Sequence, residues 1–174
     1  MKKYVIIASI LLTLAGCSAS ASMATPKNAA SDIQATHTKT FMQLVKPQRN
    51  TAQMHKVIKY LKTRVGRTSY VFSGASPRGW DCSGLVRWTY ERFGIELPHS
   101  ADKQGHVGKR VSKPKIGDIV VFAYPGSTHF YHAAIYIGDG KIINAHYGAG
   151  STIIQPLSDY KGSQIRFVRV VETL

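Results

Sequence analysis

Two cysteines occur in the 174-residue chain, Cys17 and Cys82, in completely different surroundings. Cys82 lies in Gly79-Trp80-Asp81-Cys82-Ser83-Gly84, just ahead of an apolar stretch. A buried cysteine is ordinarily no more than a small hydrophobe. Here Asp81 is a good helix cap, so the thiol would sit at a helix N-terminus. Unpaired backbone N–H groups and the positive end of the helix dipole favour thiolate there. The same N–H groups suit the oxyanion that forms when a thiolate attacks a carbonyl. Gly84 is expected to let substrate approach the backbone closely. A cysteine nucleophile also needs a base, and a group to orient that base.

Seven histidines are available: His37, His55, His99, His106, His129, His132 and His146. His37 lies in polar N-terminal sequence and His55 on the polar side of a helix. His99, His106 and His129 sit in loop-like sequence, where surface histidines are common. His132 opens the strand-like run His132-Ala133-Ala134-Ile135-Tyr136-Ile137, whose small residues leave room beside it. Spacing alone does not decide among them. No CxxC pair or Cys/His ligand spacing occurs, which argues against structural zinc.

The elements that must position these groups begin at Thr51. Met54, Val57, Ile58, Leu61 and Val65 form the stripe of an amphipathic helix, with Asn50 or Thr51 as its cap and Gly66 as its end. Its lysines, Lys56, Lys59 and Lys62, read as a solvated face. A second helix is predicted from Asp81-Cys82-Ser83 to Phe93, stopped by Gly94, with Leu85, Val86, Thr89 and Phe93 on one side. Strands are predicted at 119–123, 133–137, 142–145, 152–155 and 165–171, where Ile and Val alternate with Gly, Pro, Asp and Ser turns. Helices first and strands afterwards imply an α+β fold, with N-terminal helices packed on an antiparallel sheet of five to six strands.

Ahead of this domain (51–174), Lys2-Lys3, an apolar run from Tyr4 to Leu14, and Ala15-Gly16 form a secretory signal peptide over residues 1–16. The run is too short to span a bilayer comfortably. Leu14-Ala15-Gly16-Cys17 resembles the bacterial lipoprotein box, in which the cysteine becomes the lipidated first residue. Ser18 after it resembles lipoproteins sorted to an outer membrane. Residues 18–50 are rich in Ala, Ser, Thr, Lys and Gln and read as a flexible tether, with local helix expected near Phe41–Val45. With Cys17 lipidated, Cys82 has no disulfide partner within the chain. Twenty-three Lys and Arg against nine Asp and Glu give a net charge of +14, which favours anionic partners. The basic residues are dispersed and no stacking motif accompanies them, which disfavours nucleic acid.

The span from Tyr70 to Val170 resembles the NlpC family of papain-like cell-wall peptidases. Its landmarks occur in order: Gly66, Tyr70 and Gly74; Asp81-Cys82-Ser83-Gly84; Leu97-Pro98 with Ser100 and Gln104; Gly117-Asp118-Ile119-Val120-Val121-Phe122; and His132 through Gly138. The resemblance implies Cys82 as nucleophile and His132 as general base, later the proton donor to the leaving amine. It implies a role for Tyr70, with Ser83, near the oxyanion or in positioning substrate. His99 stands where the family often has Arg, and Ser73 where it often has Gly; both departures bear on substrate preference.

The third catalytic group is where the chain departs most. Many family members carry His where this chain has Asn144. Asparagine can orient an imidazole through its side-chain carbonyl. His146 is a rival on the same strand face, and a simple hairpin centred on Asp139 would place it directly opposite His132. Motif position favours Asn144, with a bulge in the Gly-rich turn shifting the register.

The resemblance further implies hydrolysis of an amide in the peptidoglycan stem, such as γ-D-glutamyl to diaminopimelate or a D-centred cross-link, through an acyl-enzyme. It requires no metal or organic cofactor. The expected protein is a monomer, lipid-anchored in the cell envelope, at an outer membrane facing the periplasm, with peptidoglycan and membrane as its partners. Rival readings are a non-catalytic wall-binding lipoprotein, or an amidase or acyltransferase on the same fold.

Overall fold

The computed structural model describes residues 46–174. The expected signal peptide, lipidated Cys17, most of the tether and the local helix near Phe41–Val45 lie outside the described residues.

The first helix, α1, is already helical at residue 46 and runs to 62. Met54, Val57, Ile58 and Leu61 are buried, as the stripe requires, whereas Val65 falls in the turn beyond. Neither expected cap acts as one, because both lie inside the helix. Thr51 Oγ1 donates to the Pro47 carbonyl (2.9 Å), and Asn50 Nδ2 donates to the Glu172 carbonyl (3.0 Å), fastening α1 to the C-terminal tail. Residues 46–50, read from composition as tether, are thus part of the folded unit.

A two-stranded hairpin follows, β1 (Ala75–Ser76) and β2 (Gly79–Trp80), then α2 (Cys82–Glu91), a one-turn helix α3 (Ala101–Gln104) and β3 (Lys109–Val111). The remaining strands are β4 (Ile119–Ala123), β5 (Phe130–Gly138), β6 (Lys141–His146), β7 (Ser151–Pro156) and β8 (Gln164–Arg169), with a 3-10 turn at Leu157–Tyr160. The six strands β3 to β8 form one sheet in the order β3-β8-β4-β5-β6-β7, every pairing antiparallel. This is the expected α+β architecture.

Both faces of the sheet are covered. Ile119, Val121, Ala133, Ile135, Ile143 and Ala145 join the α1 stripe and Leu85, Val86 and Trp88 of α2 in one core. Val120, Phe122, Ala134 and Ile142 pack on the other side against Tyr136, Leu157, Tyr160 and Phe167. Burial on two sides explains why β4 is an unbroken apolar run with no polar alternation. Trp80 anchors the start of the Cys82 segment: it is fully buried, and its Nε1 donates to Thr152 Oγ1 on β7 (2.7 Å).

Candidate active site

Cys82 is the first residue of α2, and Asp81 caps that helix. One Asp81 oxygen, Oδ1, accepts from the Gly84 N–H (2.7 Å), Ser83 Oγ (2.9 Å) and His99 Nε2 (2.9 Å). The other, Oδ2, accepts from the Ser73 N–H (2.9 Å). A single buried carboxylate therefore ties the helix start to two loops. Ser73 adopts a left-handed φ of 58°, the conformation that accounts for glycine at this position elsewhere in the family it resembles. Gly84 is required by the packing of the chain itself. A Cβ there would collide with the Gly74 carbonyl and lie 3.0 Å from His99 Nε2, so the chain's own loop makes a close approach at this residue.

The base candidate comes from β5. That strand pairs with β4 along the whole of Ile119–Ala123, but its ladder with β6 ends at Ile135↔Ile143. Beyond that point the two strands leave backbone groups of β5 without a ladder partner. There the Ala133 N–H points at the Cys82 sulfur, together with the N–H groups of Ser83 and of Cys82 itself. His132 immediately precedes Ala133. It is buried, and its Nε2–H donates to Asn144 Oδ1 at 3.0 Å, which leaves Nδ1 as the nitrogen free to exchange a proton.

The reason for the Asn144 contact differs from the expected register shift. A bulge does lie between Tyr136 and Gly138, but past it Ile135 still opposes Ile143, the register of a hairpin centred on Asp139. Asn144 reaches His132 diagonally instead. His146 lies with its ring edge-on to His132, centroids 6.2 Å apart, and its Nδ1 accepts from the Ala149 N–H (3.1 Å) within its own turn.

Burial raises the Cys82 thiol above its ordinary range and the Asp81 carboxylate adds to this, while the three N–H groups pull it down. Burial likewise holds His132 at about 4; the Asn144 bond raises it and His146 lowers it. Desolvation thus opposes the helix terminus, which favours thiolate, and pushes Cys82 and His132 each toward its neutral form.

Tyr70 is half-buried and packs edge-on against Tyr147 at 5.5 Å. Burial raises its hydroxyl, as do the nearby Cys82, Asp81 and Tyr147, which places it beside Cys82. The Ser83 hydroxyl is spent on Asp81; only its backbone N–H faces the sulfur. Two groups escaped the sequence reading, Tyr160 and Gln155, and a third, Gln104, figured there only as a landmark without a role. Gln104, buried, donates to the Ser83 and Pro98 carbonyls (2.9 and 2.8 Å) and fastens α3 to α2. Tyr160 stacks on His132 with centroids 5.8 Å apart, and its hydroxyl is buried without a partner among the described residues. Gln155 touches Asn144. The one signal was Gln155 itself, a polar residue after Ile153-Ile154, and its partner follows only with the β6–β7 register in hand.

Comparison with known proteins places this geometry in a family. The family model described as NlpC/P60 matches residues 66–171, and one described as a prokaryotic membrane lipoprotein lipid attachment site matches residues 1–18. The chain is 39% identical over 109 residues to the gamma-DL-glutamyl hydrolase of Bacillus subtilis, covering 60% of this chain but 26% of that protein. The chain thus spans about a quarter of the length of that relative. Among solved structures it resembles the NlpC/p60 domain of the peptidoglycan hydrolase SagA (27% identity, TM-score 0.56, covering 67% of this chain and 98% of that one). It also shares its fold with RipD of Mycobacterium tuberculosis, described as a non-catalytic NlpC/p60 domain protein adapted to peptidoglycan binding (22% identity, TM-score 0.57, covering 68% of this chain and 98% of that one). With its match extending over more than half of its length, from the loop before Cys82 to the last strand, the chain belongs to the NlpC/P60 family.

Proposed function

We propose that this chain is a lipid-anchored cysteine peptidase of the bacterial cell envelope that hydrolyses an amide in the peptide stem or cross-link of peptidoglycan. The observation that carries the reading is the Cys82 sulfur at the start of α2, facing the Ala133 N–H, with His132 next in the chain and hydrogen-bonded to Asn144.

In the first step His132 Nδ1 takes the Sγ proton as the sulfur attacks the scissile carbonyl carbon. The carbonyl oxygen gains the negative charge, and the N–H groups at the start of α2 receive it with the Tyr70 hydroxyl; the proximity of both to Cys82 supports this reading. When the tetrahedral species collapses, the C–N bond breaks and His132 returns the proton to the leaving amine. A water then gives a proton to His132 and attacks the thioester. The acid product departs and the thiol is restored, with no net proton gained or lost.

Lipidation at Cys17, residence at an outer membrane facing the periplasm, and action as a monomer belong to the same proposal. The lipid attachment match and Ser18 support the first two. The basic charge suits an anionic wall. Its rival is a wall-binding protein that does not cleave, as RipD is described; the intact Cys82, His132 and Asn144 favour catalysis. Zymography on peptidoglycan with wild type and Cys82→Ala separates the two. Clearing by wild type alone is expected, and equal results for both proteins would reject the enzyme.

A further inference from the structure

The His132–Asn144 pair continues away from the nucleophile. Asn144 Nδ2 donates to Gln155 Oε1 (3.2 Å) on β7, and Gln155 Nε2 donates to Asp159 Oδ2 (3.5 Å) in the 3-10 turn. The link follows from register: on β6–β7 Asn144 opposes Ile153 and Ile142 opposes Gln155, so Gln155 meets Asn144 on the diagonal. We propose that Gln155, held by Asp159, is a positioning residue that sets which way the Asn144 amide points and thereby which nitrogen of His132 carries the proton.

A primary amide presents oxygen on one side and N–H₂ on the other, and two opposite orientations fill the same space. Turned one way, Asn144 offers its oxygen to His132, so Nε2 must hold the proton and Nδ1 has the lone pair. Turned the other way it offers N–H, Nε2 must accept, and the proton moves to Nδ1. In that tautomer the nitrogen needed as the base is already protonated. Nothing in Asn144 itself chooses between the two.

The end of the chain does choose. An ionised carboxylate only accepts hydrogen bonds. Asp159 therefore draws the amino side of Gln155, which turns the Gln155 oxygen toward Asn144, which turns the Asn144 oxygen toward His132. Each donor meets an acceptor in one direction only. Asn144 is fully buried, so a reversed amide would find no water to offset a lost partner.

The inference rests on the proposed catalytic reading, and its test separates the two. Full-length protein with ¹⁵N-labelled histidine reports the His132 tautomer at neutral pH without any turnover. Wild type is expected in the Nε2–H form. Gln155→Leu removes the acceptor and is expected to populate the Nδ1–H form, with kcat lowered about 10- to 100-fold and KM unchanged. Gln155→Glu keeps an oxygen facing Asn144 and is expected to restore the Nε2–H form and most of kcat. Asp159→Asn, at the longest link, is expected to give a smaller loss of the same kind. A Gln155→Leu protein with the wild-type tautomer would overturn the proposal. Should wild type cleave no peptidoglycan, the catalytic reading fails, and the tautomer still decides the role of Gln155.

Discussion

Asn144 Oδ1 lies 3.0 Å from His132 Nε2, while His146, two residues further along the same strand face, turns its Nδ1 to the Ala149 N–H instead. The nominal cross-strand partner of His132 is thus not its hydrogen-bond partner. Replacing Asn144 by Ala is expected to lower kcat about 100-fold, because the imidazole loses both its tautomer and its aim. His146→Ala is expected to stay within about threefold of wild type, since a surface turn bond contributes little. Steady-state rates on a purified stem peptide distinguish the two, and a loss confined to His146→Ala would reverse the assignment.

Desolvation at the site makes a prediction about reactivity. Burial raises the Cys82 thiol above its usual range and holds His132 at about 4, which disfavours a stored thiolate–imidazolium pair near neutrality. Alkylation by iodoacetamide is expected to accelerate about tenfold per pH unit between pH 6 and 8, following the thiolate fraction. A rate independent of pH across that range would mean that the ion pair exists at rest.

Stability should depend on the same histidine. In the unfolded chain His132 titrates at its ordinary 6.5, and in the folded protein at about 4. Below 6.5 the unfolded state takes up a proton that the folded state refuses, so stability is complete above that pH. It is lost as the pH falls from 6.5 toward 4, by about 3 kcal/mol from this one group. Denaturant titrations across this window are expected to show the loss in wild type and a flatter profile in His132→Gln. Equal slopes would contradict it.

Gly84 is expected to tolerate no side chain. The collision of a Cβ with the Gly74 carbonyl involves backbone held on both sides, since that carbonyl also accepts the Asp81 N–H (3.0 Å). Gly84→Ala should cost about 1–3 kcal/mol. The midpoint of urea unfolding checks this, and an unchanged midpoint would show that the loop yields freely.

Much of this arrangement was legible before the fold was known, because it is local. Asp81 caps α2 through the N–H of Gly84, three residues on, and β4 to β7 announce themselves by β-branched runs between turn residues. What depends on pairing between distant segments was not legible. His99 reaches Asp81 from 18 residues away, and Gly84 answers to a carbonyl of a separate loop. The diagonal reach of Asn144 depends on where β5 and β6 part, which no hairpin pattern reveals. The early start of α1 was hidden by its polar first turns, whose Asn50 is held by the far end of the chain. The desolvation that opposes a thiolate at the helix terminus was not legible either, because burial is absent from a linear reading.

The central claim, amide hydrolysis by the Cys82 thiol, is tested most directly by mass spectrometry of purified peptidoglycan digested with wild type and with Cys82→Ala. New stem fragments, each with a freed amine and carboxylate at one bond, are expected from wild type and none from the variant. Identical fragment sets from the two proteins would contradict it.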